Sequence, residues 1–106
     1  MRLQYTPQAI EDMKEIQSYI QYNLQNPQAA ARISKKILDA CAMLKDYPNS
    51  GFSLQAKINR ETDFRCLVIG NYLAFYRTEN SVISVARILD GRQDYLQVLF
   101  PDIGMF

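Results

Sequence analysis

The sequence predicts an α+β fold: an N-terminal strand, then an antiparallel helical hairpin packed on a three- to four-stranded antiparallel sheet. Three observations carry this. Residues 64–69, 72–77 and 82–89 are runs rich in β-branched and aromatic side chains, divided by turn signals at Gly70-Asn71 and Glu79-Asn80. Two earlier stretches repeat apolar residues at helical spacing, and each opens on a capping residue followed by proline. The first five residues form a further short strand candidate ahead of the first cap.

Thr6 caps the first helix and Pro7 occupies its first turn. Ile10, Met13, Ile16, Ile20 and Leu24 recur along one face, so this helix is expected to run to about Asn23. Asn26-Pro27 repeats the device, and Ala30, Ile33, Ile37, Cys41 and Leu44 form the second stripe, which ends before Pro48. A break this short makes the two helices antiparallel neighbours. Arg32, Lys35 and Lys36 lie on the outer side and read as a solvated face. The run from Asp46 to Gly51, DYPNSG, is turn chemistry throughout. Residues 52–62 are mixed, with a short strand expected near 54–58 and the cations Lys57 and Arg60 in or beside it. Past the meander, Asp90-Gly91 makes a turn and residues 93–100 form a short helix or a last strand.

The expected loops set the sheet register, and register sorts the side chains by face. One face collects Phe64, Cys66, Val68, Leu73, Phe75, Val82, Ser84, Ala86 and Ile88, with Arg77 at its margin, a core composition on which the helices are expected to pack. The other mixes Leu67, Ile69, Ile83, Val85 and Leu89 with Arg65, Arg87, Tyr72 and Tyr76, placing Arg65 opposite Tyr76 and Arg87 opposite Tyr72. An unpaired guanidinium is costly in a dry core. That face is therefore expected to be an uncovered working surface, and its aliphatics predict a partner such as a peptide or an amphipathic helix. A plainer alternative has the arginine stems lying over apolar neighbours with their heads in water.

The chain has 106 residues, 48% of them hydrophobic and 22% charged, which suits one folded domain over 1–100 with a tail at 101–106. A net charge of +1 advertises no nucleic-acid binder, so any basic surface is local. There is no histidine, which removes Ser-His and Cys-His catalysis, and two cysteines without ligand spacing give no metal site. No cofactor is expected, since Gly70 and Gly91 are isolated turn glycines rather than a phosphate loop. The absence of an apolar run of membrane length predicts no membrane partner and a cytoplasmic protein with reduced thiols.

Taken in order, Tyr5-Thr6-Pro7, AIEDMKEIQSYI, LKDYPNSG, FRCLVIGNYLAFYR and VARILDGRQDY resemble the RelE/ParE superfamily of bacterial toxins over roughly residues 1–96. The resemblance implies the growth-inhibiting toxin of a type II toxin-antitoxin system, held in a hetero-oligomer by a cognate antitoxin. The antitoxin would then cover Leu67, Ile69, Ile83, Val85 and Leu89. Two modes of action exist in the family. A RelE-like member cleaves mRNA on the ribosome as an endoribonuclease, which would assign phosphate-holding roles to Arg65 and Arg87 and the C-terminal tyrosine role to Tyr95. Lys57, Arg60, Tyr72 and Tyr76 would then contact the target or RNA. A ParE-like member poisons DNA gyrase and needs no catalytic residue of its own. The long helical hairpin, the YPNSG corner and the ending RILDGRQD look more ParE-like, and near-neutral charge departs from strongly basic ribosome-binding toxins. From a different class, the chain would be a non-toxic interaction module.

Overall fold

The computed structural model describes residues 1–101; the expected tail lies, from residue 102 on, outside the described residues. The elements in chain order are β1 (Arg2–Tyr5), α1 (Pro7–Ser18), α2 (Pro27–Ala42), β2 (Phe52–Ser53), α3 (Gln55–Ile58), β3 (Arg65–Ile69), β4 (Tyr72–Glu79), β5 (Val82–Asp90) and α4 (Tyr95–Leu99). Both expected caps form. Thr6 Oγ1 accepts from Ala9 N at 3.1 Å and Asn26 Oδ1 from Ala29 N at 3.0 Å, each satisfying a first-turn donor that the helix cannot. Tyr19–Asn23 continues α1 as a π-helical turn, and Met43–Lys45 closes α2 as a 3₁₀ turn.

The α+β class, the N-terminal strand and the helical hairpin stand as the sequence indicates. The sheet is larger and mixed: five strands in the order β1-β5-β4-β3-β2, with β1 parallel to β5 and the other pairs antiparallel. The N-terminal strand joins the meander instead of standing outside it, because the helical hairpin is the crossover that a parallel pairing requires.

The first hairpin keeps its expected register, with Arg65 opposite Tyr76. The second does not. Its turn residues are Asn80 and Ser81, both at positive φ (52° and 63°), which moves the pairing to Glu79 opposite Val82. A bulge between Phe75 and Tyr76 in the ladder then shifts it again, so Arg87 faces Phe75 and Tyr72 faces Asp90. The extra residue reverses parity beyond it. Ile88 joins Ile83 and Val85 on one side, and Leu89 turns to the other.

The covered face is also corrected. The hairpin packs on the face expected to be open: Ile69, Ala74, Tyr76, Ile83, Val85 and Ile88 share one core with Ala9, Ile37, Cys41 and Leu44. Leu67 and Tyr72 are partly buried against it. The opposite face is closed by a smaller core, in which Leu54, Cys66, Phe75, Leu89 and Phe100 meet Phe64, Tyr95 and Leu96 from the flanking loops and α4. Among the described residues its corner stays bare, with Val68 57% exposed. An apolar face can hold arginines at its margins when their heads find partners there, and both of these do.

Cys41 and Cys66 are free and buried, one in each core. Burial disfavours the thiolate and pushes Cys41 up to about 11 and Cys66 up to about 12. Raised values mean that the native state holds its thiol protons longer than the unfolded chain. The stability this carries is complete below the ordinary thiol range and is lost as pH rises toward those values. At pH 8, a thiol reagent such as DTNB is expected to titrate neither cysteine in the native protein and both in urea. Rapid native labelling would contradict the burial.

Candidate functional site

Asp12 shows how the first arginine is held. The spacing of Ala9, Asp12 and Ile16 puts this carboxylate on the inner face of α1, where Asp12 is only 4% exposed. β1 stops pairing at Val85, so the outer edge of β5 beyond that point has free backbone groups. Thr6 satisfies the first of them, donating from N to Val85 O at 3.0 Å and from Oγ1 to Ala86 O at 2.8 Å. Asp12 satisfies the next, its Oδ2 accepting from Ile88 N at 2.9 Å. Arg87 then closes a bidentate pair with the same carboxylate, both contacts at 2.8 Å. The Asp12 hydrogen bond raises the guanidinium's proton affinity, against the opposing effect of burial.

Arg65 lies two strands away and turns toward the other edge of the sheet. Its guanidinium donates to Asn49 O at 3.2 Å and to Gly51 O, clamping the YPNSG corner. Tyr76 completes the clamp from below. Its hydroxyl donates to Pro48 O at 2.7 Å and accepts from Gly51 N at 3.0 Å, with the side chain fully buried. Tyr76 is thus a buried pillar rather than an exposed contact residue.

Tyr95 opens α4, and its ring lies 5.3 Å from that of Phe75 on the face opposite the helical hairpin. On that same side the structure brings Lys57 and Arg60 together around aromatic rings. Lys57 Nζ sits 5.4 Å from the centroid of Phe52, and the Arg60 guanidinium 4.4 Å from that of Phe100. Arg77 joins them, 3.9 Å over Phe64 and paired with Asp63 at 3.2 Å. Phe64 and Phe100 meet edge to face at 6.2 Å. The result is an aromatic cluster clad in cations, which Arg77 completes from the margin of that face.

The residues predicted for antitoxin binding do not form a surface in the free chain. Ile69, Ile83, Val85 and Leu89 are buried, and Leu67 is half-buried under the helices. Tyr72 is half-buried on the wall of a cleft, its hydroxyl raised by burial and by Asp90 nearby. Most other cleft residues read from the sequence as something else, Ile20, Leu24 and Ile33 as helix stripe and Gly70-Asn71 and Asp90-Gly91 as turns, and no sequence pattern brought them together as a cleft. For Asp12 the signal was present: a carboxylate inside an apolar helical stripe.

Known proteins resemble this architecture. The family model described as "ParE toxin of type II toxin-antitoxin system, parDE" matches residues 3–95. A protein of Sinorhizobium fredii that carries the name "Putative toxin Y4kP" is 32% identical over 100 residues, covering 92% of this chain and 96% of that protein. Among solved structures, "Chromosomal ParDE TA system from P. aeruginosa" superposes with a TM-score of 0.72 at 22% identity, over 85% of this chain and 95% of that one, which speaks to the fold.

Proposed function

The chain belongs to the ParE toxin family of type II toxin-antitoxin systems, and on that premise we propose that it arrests growth by acting on DNA gyrase and that a cognate antitoxin neutralises it. The observation that supports this over RNA cleavage is the employment of the candidate catalytic side chains. Arg87 gives Nε and Nη2 to Asp12, Arg65 gives Nη2 to two backbone carbonyls, and Tyr95 packs on Phe75. Ribose-phosphate cleavage asks for a base, an acid and cations aimed at one phosphate. Here the two arginine heads diverge to opposite edges of the sheet and hold the fold.

A gyrase poison needs binding surface and no catalytic group of its own. It would work in the cytoplasm, and no described helix is long and apolar enough to cross a membrane. The test is pulse-labelling after induction of the chain alone in a bacterial host. Thymidine incorporation is expected to fall within minutes while amino-acid incorporation persists, and the purified chain is expected to inhibit gyrase supercoiling. Early collapse of amino-acid incorporation with cleaved mRNA would overturn the gyrase reading in favour of ribosome-dependent cleavage. If neither label changed, the toxin role would fall and a plain interaction module would remain.

A further inference from the structure

An open cleft of about 770 Å³ lies between the tip of the helical hairpin and the turn end of the sheet. Its shape follows from the way α1 ends. The π-turn places a Leu24 N–H bond to Tyr19 O and an Asn26 N–H bond to Ile20 O, both at 3.1 Å, and Gln25 takes the left-handed conformation at φ 51°. That widened turn leaves Leu24 56% exposed on the wall, over a floor that includes Ile20, Ile33 and Leu73. An apolar side chain held in water above an apolar floor is the signature of a surface awaiting a partner.

The charges on the rim indicate what that partner carries. Lys36 follows Ala29 and Ile33 on one stripe of α2, and its Nζ stands over Gly70, 3.3 Å from where a Cβ would be. Among the described residues Lys36 has no carboxylate in ion-pair distance. Across the cleft, Arg92 pairs with Asp90 at 3.0 Å while its side chain stays 88% exposed. The rim thus presents two cations against one carboxylate.

We propose that this cleft seats an acidic segment of the cognate antitoxin, with an apolar side chain entering against Leu24, Ile33 and Leu73 and carboxylates meeting Lys36 and Arg92. The proposal rests on the toxin-antitoxin reading above and replaces the sheet face as the docking surface. Gyrase is the competing occupant.

The test uses the full chain with the purified product of the reading frame neighbouring its gene. Hydrogen-exchange mass spectrometry is expected to show slowed exchange in residues 19–26, 69–73 and 90–92 of the complex. Leu24→Glu and Lys36→Glu are each expected to weaken binding about tenfold. Met43→Glu, at an exposed apolar position elsewhere on α2's end, is expected to leave it unchanged. Both cleft positions are exposed, so unaltered melting curves will show that the fold survives. Full affinity in both cleft variants, or protection confined to other surfaces, would overturn the proposal while leaving the toxin reading standing. Protection of the cleft by purified gyrase and not by the neighbour's product would also overturn it. Absence of any complex with that product would overturn the proposal together with antitoxin neutralisation.

Discussion

Arg87→Ala is expected to lower the free energy of unfolding by about 3–5 kcal/mol, because it leaves the Asp12 carboxylate buried without its counter-charge. Asp12 has a side chain only 5% exposed and holds three contacts at 2.8–2.9 Å, two to the guanidinium and one to Ile88 N. With the arginine gone, one backbone N–H remains to carry a full charge out of water. The double variant Asp12→Ala/Arg87→Met is expected to recover much of the loss, since the charge leaves with its partner and only the β5 edge donor at Ile88 is orphaned, at about 1–3 kcal/mol. Urea denaturation of the two single variants and the double variant measures the coupling directly. A loss below about 1 kcal/mol for Arg87→Ala would mean that the pair is solvated in solution, and Arg87 would return as a candidate for substrate contact.

Gly51→Ala is expected to cost about 3 kcal/mol or more, an overpacking effect with no room to relax. A Cβ at this position would stand 2.6 Å from Cys66 O, 2.8 Å from Cys66 C and 2.9 Å from Tyr76 Cε1. The first two are backbone atoms of a paired strand, and the third belongs to a ring whose hydroxyl is fixed at both its bonds. Relief by moving the corner would break the Arg65 and Tyr76 clamps together. For a domain of this length, 3 kcal/mol corresponds to a fall in Tm of about 12 °C or more, readable by calorimetry. Gly91→Ala offers the comparison: its nearest contact is Asn71 O at 3.2 Å, and a small shift accommodates it. Equal losses at the two glycines would remove the YPNSG corner from any special role.

Local chemistry made most of the elements legible. Thr6-Pro7 and Asn26-Pro27 mark helix starts because a side-chain oxygen and a missing N–H solve the same first-turn problem wherever they occur. The Gly70-Asn71 turn fixes the first hairpin's register for an equally local reason, and Gly70 takes φ 59° as such a loop asks. The stripe from Ala30 to Leu44 faces the core as its spacing requires. In the second hairpin the local signal pointed to the wrong pair of residues, because Asn80 and Ser81 both tolerate the left-handed region and Glu79 extends the strand instead. No short-range pattern announced the bulge.

By itself, then, the sequence determined the α+β class, the starts of the two long helices, the three-stranded meander and, through the order of its motifs, the toxin family. Only the tertiary structure decided which face of the sheet the helices cover, that β1 joins it in parallel, and where Arg65 and Arg87 send their heads. The physical reason lies in the difference between composition and partner. A strand of mixed apolar and basic residues can face water or helices, and the choice turns on whether a distant Asp12 or the carbonyls of Asn49 and Gly51 arrive to receive the charge. Such meetings are made by topology, which is why the face that reads as a working surface became the core, and the cleft at the hairpin tip became visible only once the chain was folded.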